Sequence, residues 1–245
     1  MSDTTSFYYS NDEYKLMQPE VVKARDCVSG SFFVKQKGTT YLEHPSDVDQ
    51  TSQEARARYN RFKKNASFVE VPGQTLKTVV GKLKLSDATY ELPDQLDYLL
   101  NDVDKDGLTL VGLSEQLAGE QVQVKWSVLV SDYQGLTDVD TEALSAADLD
   151  TINPRATINQ YNRESVLDWA FERVNGRMQL TYIFLAECTE SFDYNASFNS
   201  ENTKDNVTSF LKLALDEDGY YYQQKMVSVD GGLEEGERNY PLVGG

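Results

Sequence analysis

The chain has 245 residues, 40% hydrophobic and 26% charged, enough to bury the core of one large domain or two small ones. Its net charge is −17, from 23 Lys and Arg against 40 Asp and Glu, which argues against a protein that grips nucleic acid, since phosphate neutralisation needs clustered cations. No apolar run reaches the length of a membrane span, one His excludes multi-histidine metal sites, and two cysteines, Cys27 and Cys188, fit reduced thiols better than a disulfide framework.

Residues 1–20 read as a flexible arm, polar and without periodicity, in which Tyr8, Tyr9 and Tyr14 can pin the segment to a neighbour. Residues 1–15 lack an apolar stretch, so no secretory leader and a cytoplasmic origin are expected. Residues 21–135 form the mainly helical part. It opens on an apolar stretch with a strand-like run, Phe32-Phe33-Val34, and an extended segment from Gly38 to a turn at Pro45. Thr51 or Ser52 caps a helix running to about Lys64, with Glu54 in its first turn and Lys63 and Lys64 in its last. The spacing of Leu76, Val79, Val80 and Leu83 predicts a second helix. Pro93 opens a third with face Leu96, Leu99, Leu100 and Val103, and Leu110, Leu113 and Leu117 mark a fourth. A strand follows over Val124–Val130.

Residues 136–245 form the β-rich part. Asp138–Asp150 is an acidic linker, read as an exposed loop. Asn175-Gly176 between two strand-like runs, and Asp218-Gly219 between two more, predict hairpins, because such turns need φ > 0. Thr189–Asp205 reads as a long hairpin tip, and Gly231 to Glu237 as a turn before a short last segment, Tyr240–Val243. Helices first and antiparallel hairpins afterwards define an α+β fold.

Little here carries chemistry. His44 lies beside Pro45, no Ser has a Gly-x-Ser-x-Gly setting, and there is no phosphate-binding glycine pattern. The basic run Arg56, Arg58, Arg61, Lys63, Lys64 is spaced for a solvated helix face. Trp126, Trp169, Phe171, Tyr182, Phe184 and Tyr220-Tyr221-Tyr222 fall in predicted strands and read as core and cross-strand packing, not a base-stacking platform. One segment imitates a calcium loop: Asp102, Asp104, Asp106 and Gly107 match positions 1, 3, 5 and 6 of an EF-hand. Position 12, which needs a bidentate carboxylate, is Leu113, so a plain connector with Asx-turns is the better reading. No catalytic, cofactor or metal residue is therefore assigned.

Several segments in order resemble podovirus-type portal proteins of tailed bacteriophages. They are Tyr14, Ala24-Arg25-Asp26-Cys27-Val28-Ser29-Gly30, Val34-Lys35, Gly38 and Tyr41-Leu42 with Pro45; then Glu54–Tyr59 and Val79–Leu83; then Asp102–Leu108, Val128–Tyr133, Pro154–Tyr161, Ser165–Trp169 and Asn175-Gly176-Arg177 with Leu180. Glu43-His44-Pro45 replaces the family's immediate proline. The resemblance implies the wing of a portal and a non-enzymatic subunit of a twelve-fold ring at the capsid vertex, through which double-stranded DNA passes without sequence-specific contact. It also implies contacts to the major capsid protein, head–tail adaptor and terminase, host cytoplasm during assembly, and no membrane. The family's stem, clip and channel loop would follow the last residues and are absent from this sequence. The alternative is a calcium-binding or capsid-accessory module built on Asp102, Asp104 and Asp106.

Overall fold

The computed structural model describes residues 10–45, 52–84, 89–134, 153–174, 176–191, 205–229 and 232–240. The expected acidic linker, Tyr8, Tyr9 and the last segment Tyr240–Val243 beyond Tyr240 lie outside them. The fold is α+β, with helices before antiparallel strands. The chain divides into two compact units, both discontinuous. A helical unit comprises Pro19–Glu91 and Val111–Trp126; a β unit comprises Met1–Gln18, Leu92–Leu110 and Ser127–Gly245.

The helices are α1 (Asp12–Ser29), α2 (Ser31–Gln36), α3 (Gln53–Asn65), α4 (Val71–Lys84) and α5 (Leu110–Val124). Helix α1 corrects the flexible-arm expectation over residues 12–20. Asn11 Oδ1 accepts the Tyr14 amide at 2.7 Å, and Asp12 and Glu13 complement the helix dipole. Pro19 lies inside α1, where it supplies no amide donor, and the division between the units falls immediately before it. Helix α2 corrects the strand reading of Phe32-Phe33-Val34: of the three only Val34 is buried, so the run is a short helix showing one face inward. Gly38–Thr40 is a 3-10 turn where an extended segment was expected. Helix α3 starts as expected, the Ser52 side chain accepting the Ala55 amide at 3.2 Å. The expected third helix is a 3-10 helix, Asp94–Leu100, with Pro93 at its N-cap.

The helical unit is tied by side chains that reach between helices. Arg25 of α1 donates from Nη1 to Glu120 Oε2 and Gln123 Oε1 of α5, both at 2.7 Å, and from Nη2 to Glu120 Oε1. Tyr41 Oη donates to Asp26 Oδ2 at 2.7 Å. Gly73 lies so near α1 that a Cβ would stand 2.7 Å from the Val28 carbonyl oxygen. Helix α5 stops at Val124 because Lys125 takes a left-handed conformation, φ 76°, and its amide bonds back to the Gln121 carbonyl.

The first strand therefore begins at Val128, four residues later than expected. β1 (Val128–Gln134) pairs antiparallel with β2 (Arg155–Tyr161). β3 (Val166–Val174), β4 (Arg177–Ser191), β5 (Asp205–Leu215), β6 (Tyr221–Val229) and β7 (Gly232–Asn239) form a five-stranded antiparallel meander in chain order. The expected hairpins are present: Gly176 at φ 80° and Gly219 at φ 84° supply the left-handed turn positions. The expected long tip is shorter than Thr189–Asp205, since pairing continues to Ser191 opposite Asp205. The acidic stretch after Gly231 is edge strand β7, not a turn.

One face of the meander carries the core of the β unit. Leu167, Phe184, Phe210 and Met226 cluster there with Tyr14 from the start of α1, and Trp169, Tyr182 and Leu233 pack against them. Phe184 and Phe210 stack at 5.2 Å. Leu167 and Phe210 are fully buried, worth about 2–3 kcal/mol each in apolar area removed from water. Leu185 pairs with Leu211 and Ile183 with Leu213 on the opposite face, and all four are buried. The aromatic expectation holds for Trp169, Tyr182, Phe184 and Tyr222. Phe171, 56% exposed, lies in β3 opposite Leu180 and outside the core, and Tyr220, equally exposed, precedes β6.

Candidate functional site

The Asp102–Gly107 loop is the strongest chemical candidate in the sequence, and three of its carboxylate oxygens are engaged by the chain itself. Asp102 Oδ1 accepts the Gly107 amide at 3.1 Å, while Oδ2 takes a hydrogen bond from Arg155 Nη2. Asp104 Oδ1 accepts the amides of Asp106 and Leu108 at 2.9 and 3.1 Å, an Asx-turn. Desolvation works against ionising Asp102, but the Arg155 hydrogen bond and charge, with the Gly107 and Lys105 amides, outweigh it and hold the carboxyl below its ordinary range. Lys105 and Gly107 take positive φ, so the chain folds back on itself. The Val103 amide then donates to Leu108 O at 2.7 Å, and Val103 O accepts the Ile158 amide of β2 at 2.8 Å. The loop is thus stitched to β2 by fully buried Val103, by Arg155, and by Tyr98 Oη donating to Ala156 O. Among the described residues no group of three His, Cys, Asp or Glu could hold a metal ion.

The other reactive residue types are also placed in packing. The His44 ring stacks on Tyr59 at 5.3 Å, and Tyr59 Oη donates to Leu42 O. Cys27 is a free thiol on α1.

Two features of the β unit are invisible in the sequence. The first is Arg163, only 2% exposed. Its guanidinium lies 5.5 Å from the Tyr14 ring and 4.9 Å from the Trp169 ring, and Nη1 donates to Val166 O at 3.2 Å. Burial pulls its pKa down; Tyr14, Glu13 and Glu164 oppose that shift. With Tyr14 Oη donating to Glu164 O and the Asn11 amide donating to Leu167 O, Arg163 fastens the start of α1 to β3. No spacing rule marks an arginine for the interior.

The second is a groove of about 580 Å³ between the β1–β2 ribbon and the meander, walled by Val128, Val130, Leu180, Ile183, Leu213 and Leu215 among others. Asp132 is the carboxylate in its lining and accepts from Gln223 Nε2 at 3.1 Å. Beyond it Tyr161 Oη donates to Glu187 Oε1 at 2.6 Å, and burial, then Glu187, pushes the Tyr161 hydroxyl far up in pKa. Tyr221 is raised as well: burial dominates, Gln223 opposes it, and Asp132 adds to it. Both phenols are held in the neutral form by burial. The walls can take up apolar surface.

The chain matches no protein-family model, and no curated protein matches it.

Proposed function

We propose that the chain is a structural subunit of a bacteriophage portal ring at the capsid vertex, acting by shape and mutual packing with no reactive group. One observation carries the reading. Several of the residues in which the sequence resembles portal proteins close the packing of each unit. Arg25 and Asp26 join helices of the helical unit, and Gly30 at φ 96° lets the chain turn from α1 into α2. Asp102 and Asp104 knot a loop against β2, Trp169 covers Arg163, and Gly176 turns a hairpin. A protein whose distinguishing residues serve packing is used for its form.

The charge suits the role. A conduit must let duplex DNA pass without sticking, and each fixed cation on a phosphate deepens a binding well. An acidic wall keeps such wells shallow. Double-stranded DNA, the capsid and head–tail proteins, the terminase and eleven further copies are the partners this reading requires. The calcium-module alternative is weakened by the Asp102–Gly107 loop, where both Asp102 oxygens and Asp104 Oδ1 already accept amides or Arg155.

Antibodies to the chain, imaged on intact particles, test the reading. Label at one vertex per particle is expected. Label spread over the shell, or on no vertex, refutes it.

A further inference from the structure

Charge in this molecule is divided between the two units. The β unit holds 29 Asp and Glu against 10 Lys and Arg, a net −19, whereas the helical unit holds 13 Lys and Arg against 11 Asp and Glu, a net +2. Helix α3 concentrates the positive part. Arg56, Arg58, Arg61 and Lys64 are all exposed, and among the described residues their side chains have no acidic partner.

Beside this helix lies exposed apolar surface. Lys35 Nζ donates to Lys64 O at 3.1 Å, which ties α2 to the end of α3, and the Ser31 amide donates to Glu70 Oε1 at 3.1 Å, which ties α2 to the segment before α4. The same neighbourhood carries Phe32, Phe33, Val69 and Val71, exposed by 71%, 44%, 73% and 56%. Exposed aromatic and aliphatic side chains beside a helix that carries exposed cations are the composition of a protein contact. A duplex would use the cations alone.

We infer that this surface, the exposed face of α3 with the adjoining Phe32–Val71 patch, docks on the acidic β unit of a second copy of the chain. The occupant is argued from charge: the molecule holds on its own β unit the anionic excess that the surface lacks. The two contacting surfaces differ, so the contact is heterologous and passes from copy to copy, closing if the rotation allows. The inference deepens the ring reading and rests on it.

Sedimentation velocity of the full chain tests it, at about 0.05 M and about 0.5 M salt, where the Debye length falls from roughly 14 Å to roughly 4 Å. Two variants are compared with the parent: Arg58→Glu/Arg61→Glu/Lys64→Glu, and Phe32→Ser/Val69→Ser. Every substituted residue is exposed, Phe32 meeting the Phe33 ring edge-on at 5.5 Å, and circular dichroism checks that the helices persist. The parent is expected to associate at low salt and weaken at high salt, with each variant weaker on the order of tenfold or more. Variants that associate as tightly as the parent overturn the surface and leave the ring reading standing. Parent dimers or open chains, lost in the variants, uphold the surface and sink the closed ring. A monomeric parent overturns the inference. Should such a parent shift a DNA probe that the charge-reversed variant does not, the surface belongs to nucleic acid instead.

Discussion

Replacing Arg163 with alanine is expected to destabilise the β unit by about 3 kcal/mol, from two ring contacts of roughly 1 kcal/mol each and a charged hydrogen bond of roughly 1.5–3 kcal/mol, less the relief of a desolvated cation. The contacts are the Tyr14 and Trp169 rings and the Val166 carbonyl, around a guanidinium 2% exposed. In a protein of this size about 3 kcal/mol lowers the melting temperature by roughly 6–12 °C. Urea unfolding followed by the fluorescence of Trp169, in a Trp126→Phe background, reads both the midpoint and the local event, since loss of the cation changes the field on that indole. Arg163→Met separates charge from volume: it fills part of the space without the cation and should cost less than alanine. An alanine variant within about 0.5 kcal/mol of the parent, with an unchanged Trp169 spectrum, would refute the claim that Arg163 fastens α1 to the sheet, because surface substitutions span that range.

Gly73→Ala puts a Cβ 2.7 Å from the Val28 carbonyl oxygen, a backbone atom that cannot swing aside, so a loss of about 1–3 kcal/mol by thermal unfolding is expected. Calcium at millimolar concentration should leave the melting temperature unchanged, since Asp102 and Asp104 already accept amides and Arg155; a rise that disappears in Asp104→Ala would revive the calcium module. Tyr41 and Tyr182 are each pushed up to about 12, chiefly by burial, with Asp26 adding to the first and Asp168 to the second. A phenol whose folded pKa is raised contributes stability below its ordinary value of 10.0 that is lost as pH climbs toward about 12, so the urea midpoint should fall across that window and fall less in Tyr41→Phe.

The parts of the fold legible in the sequence are those where one local interaction decides the structure. Ser52 caps α3, and Gly176 and Gly219 take a conformation other residues resist, so those boundaries could be read directly. The parts that were not legible depend on what packs against them. Three apolar residues in a row, Phe32 to Val34, have no period, and only the burial of Val34 alone distinguishes helix from strand. The Gly232–Asn239 stretch, acidic and glycine-bearing, has turn composition, yet the same features protect an edge strand: exposed Glu234, Glu235 and Glu237 discourage further pairing, and Gly236 passes close to the Lys225 carbonyl beside an irregular register. The Asp102–Gly107 loop was legible as Asx-turns, but its partner Arg155, more than fifty residues away, was not. Arg163 was illegible altogether, because a charged residue reads as exposed until the rings that enclose it are placed.

The chain-wide charge of −17 describes neither unit, since one is strongly acidic and the other slightly basic. Physiological salt screens beyond about 8 Å, so an approaching molecule senses the charges nearest to it. One unit is strongly acidic. The other is slightly basic, with five of its thirteen cations on α3. The discontinuous units hide this division from a linear reading: residues 92–110, with five carboxylates and one lysine, sit in the helical half of the sequence but belong to the β unit. The consequence for assembly is a sign. Two bodies of net −17 repel as wholes, and if their contact were indifferent to where the charge lies, added salt would screen that repulsion and strengthen association. If α3 of one copy meets the β unit of the next, salt screens an attraction and weakens it. The direction of the salt effect therefore reports which description governs the molecule, before any interface has been mapped.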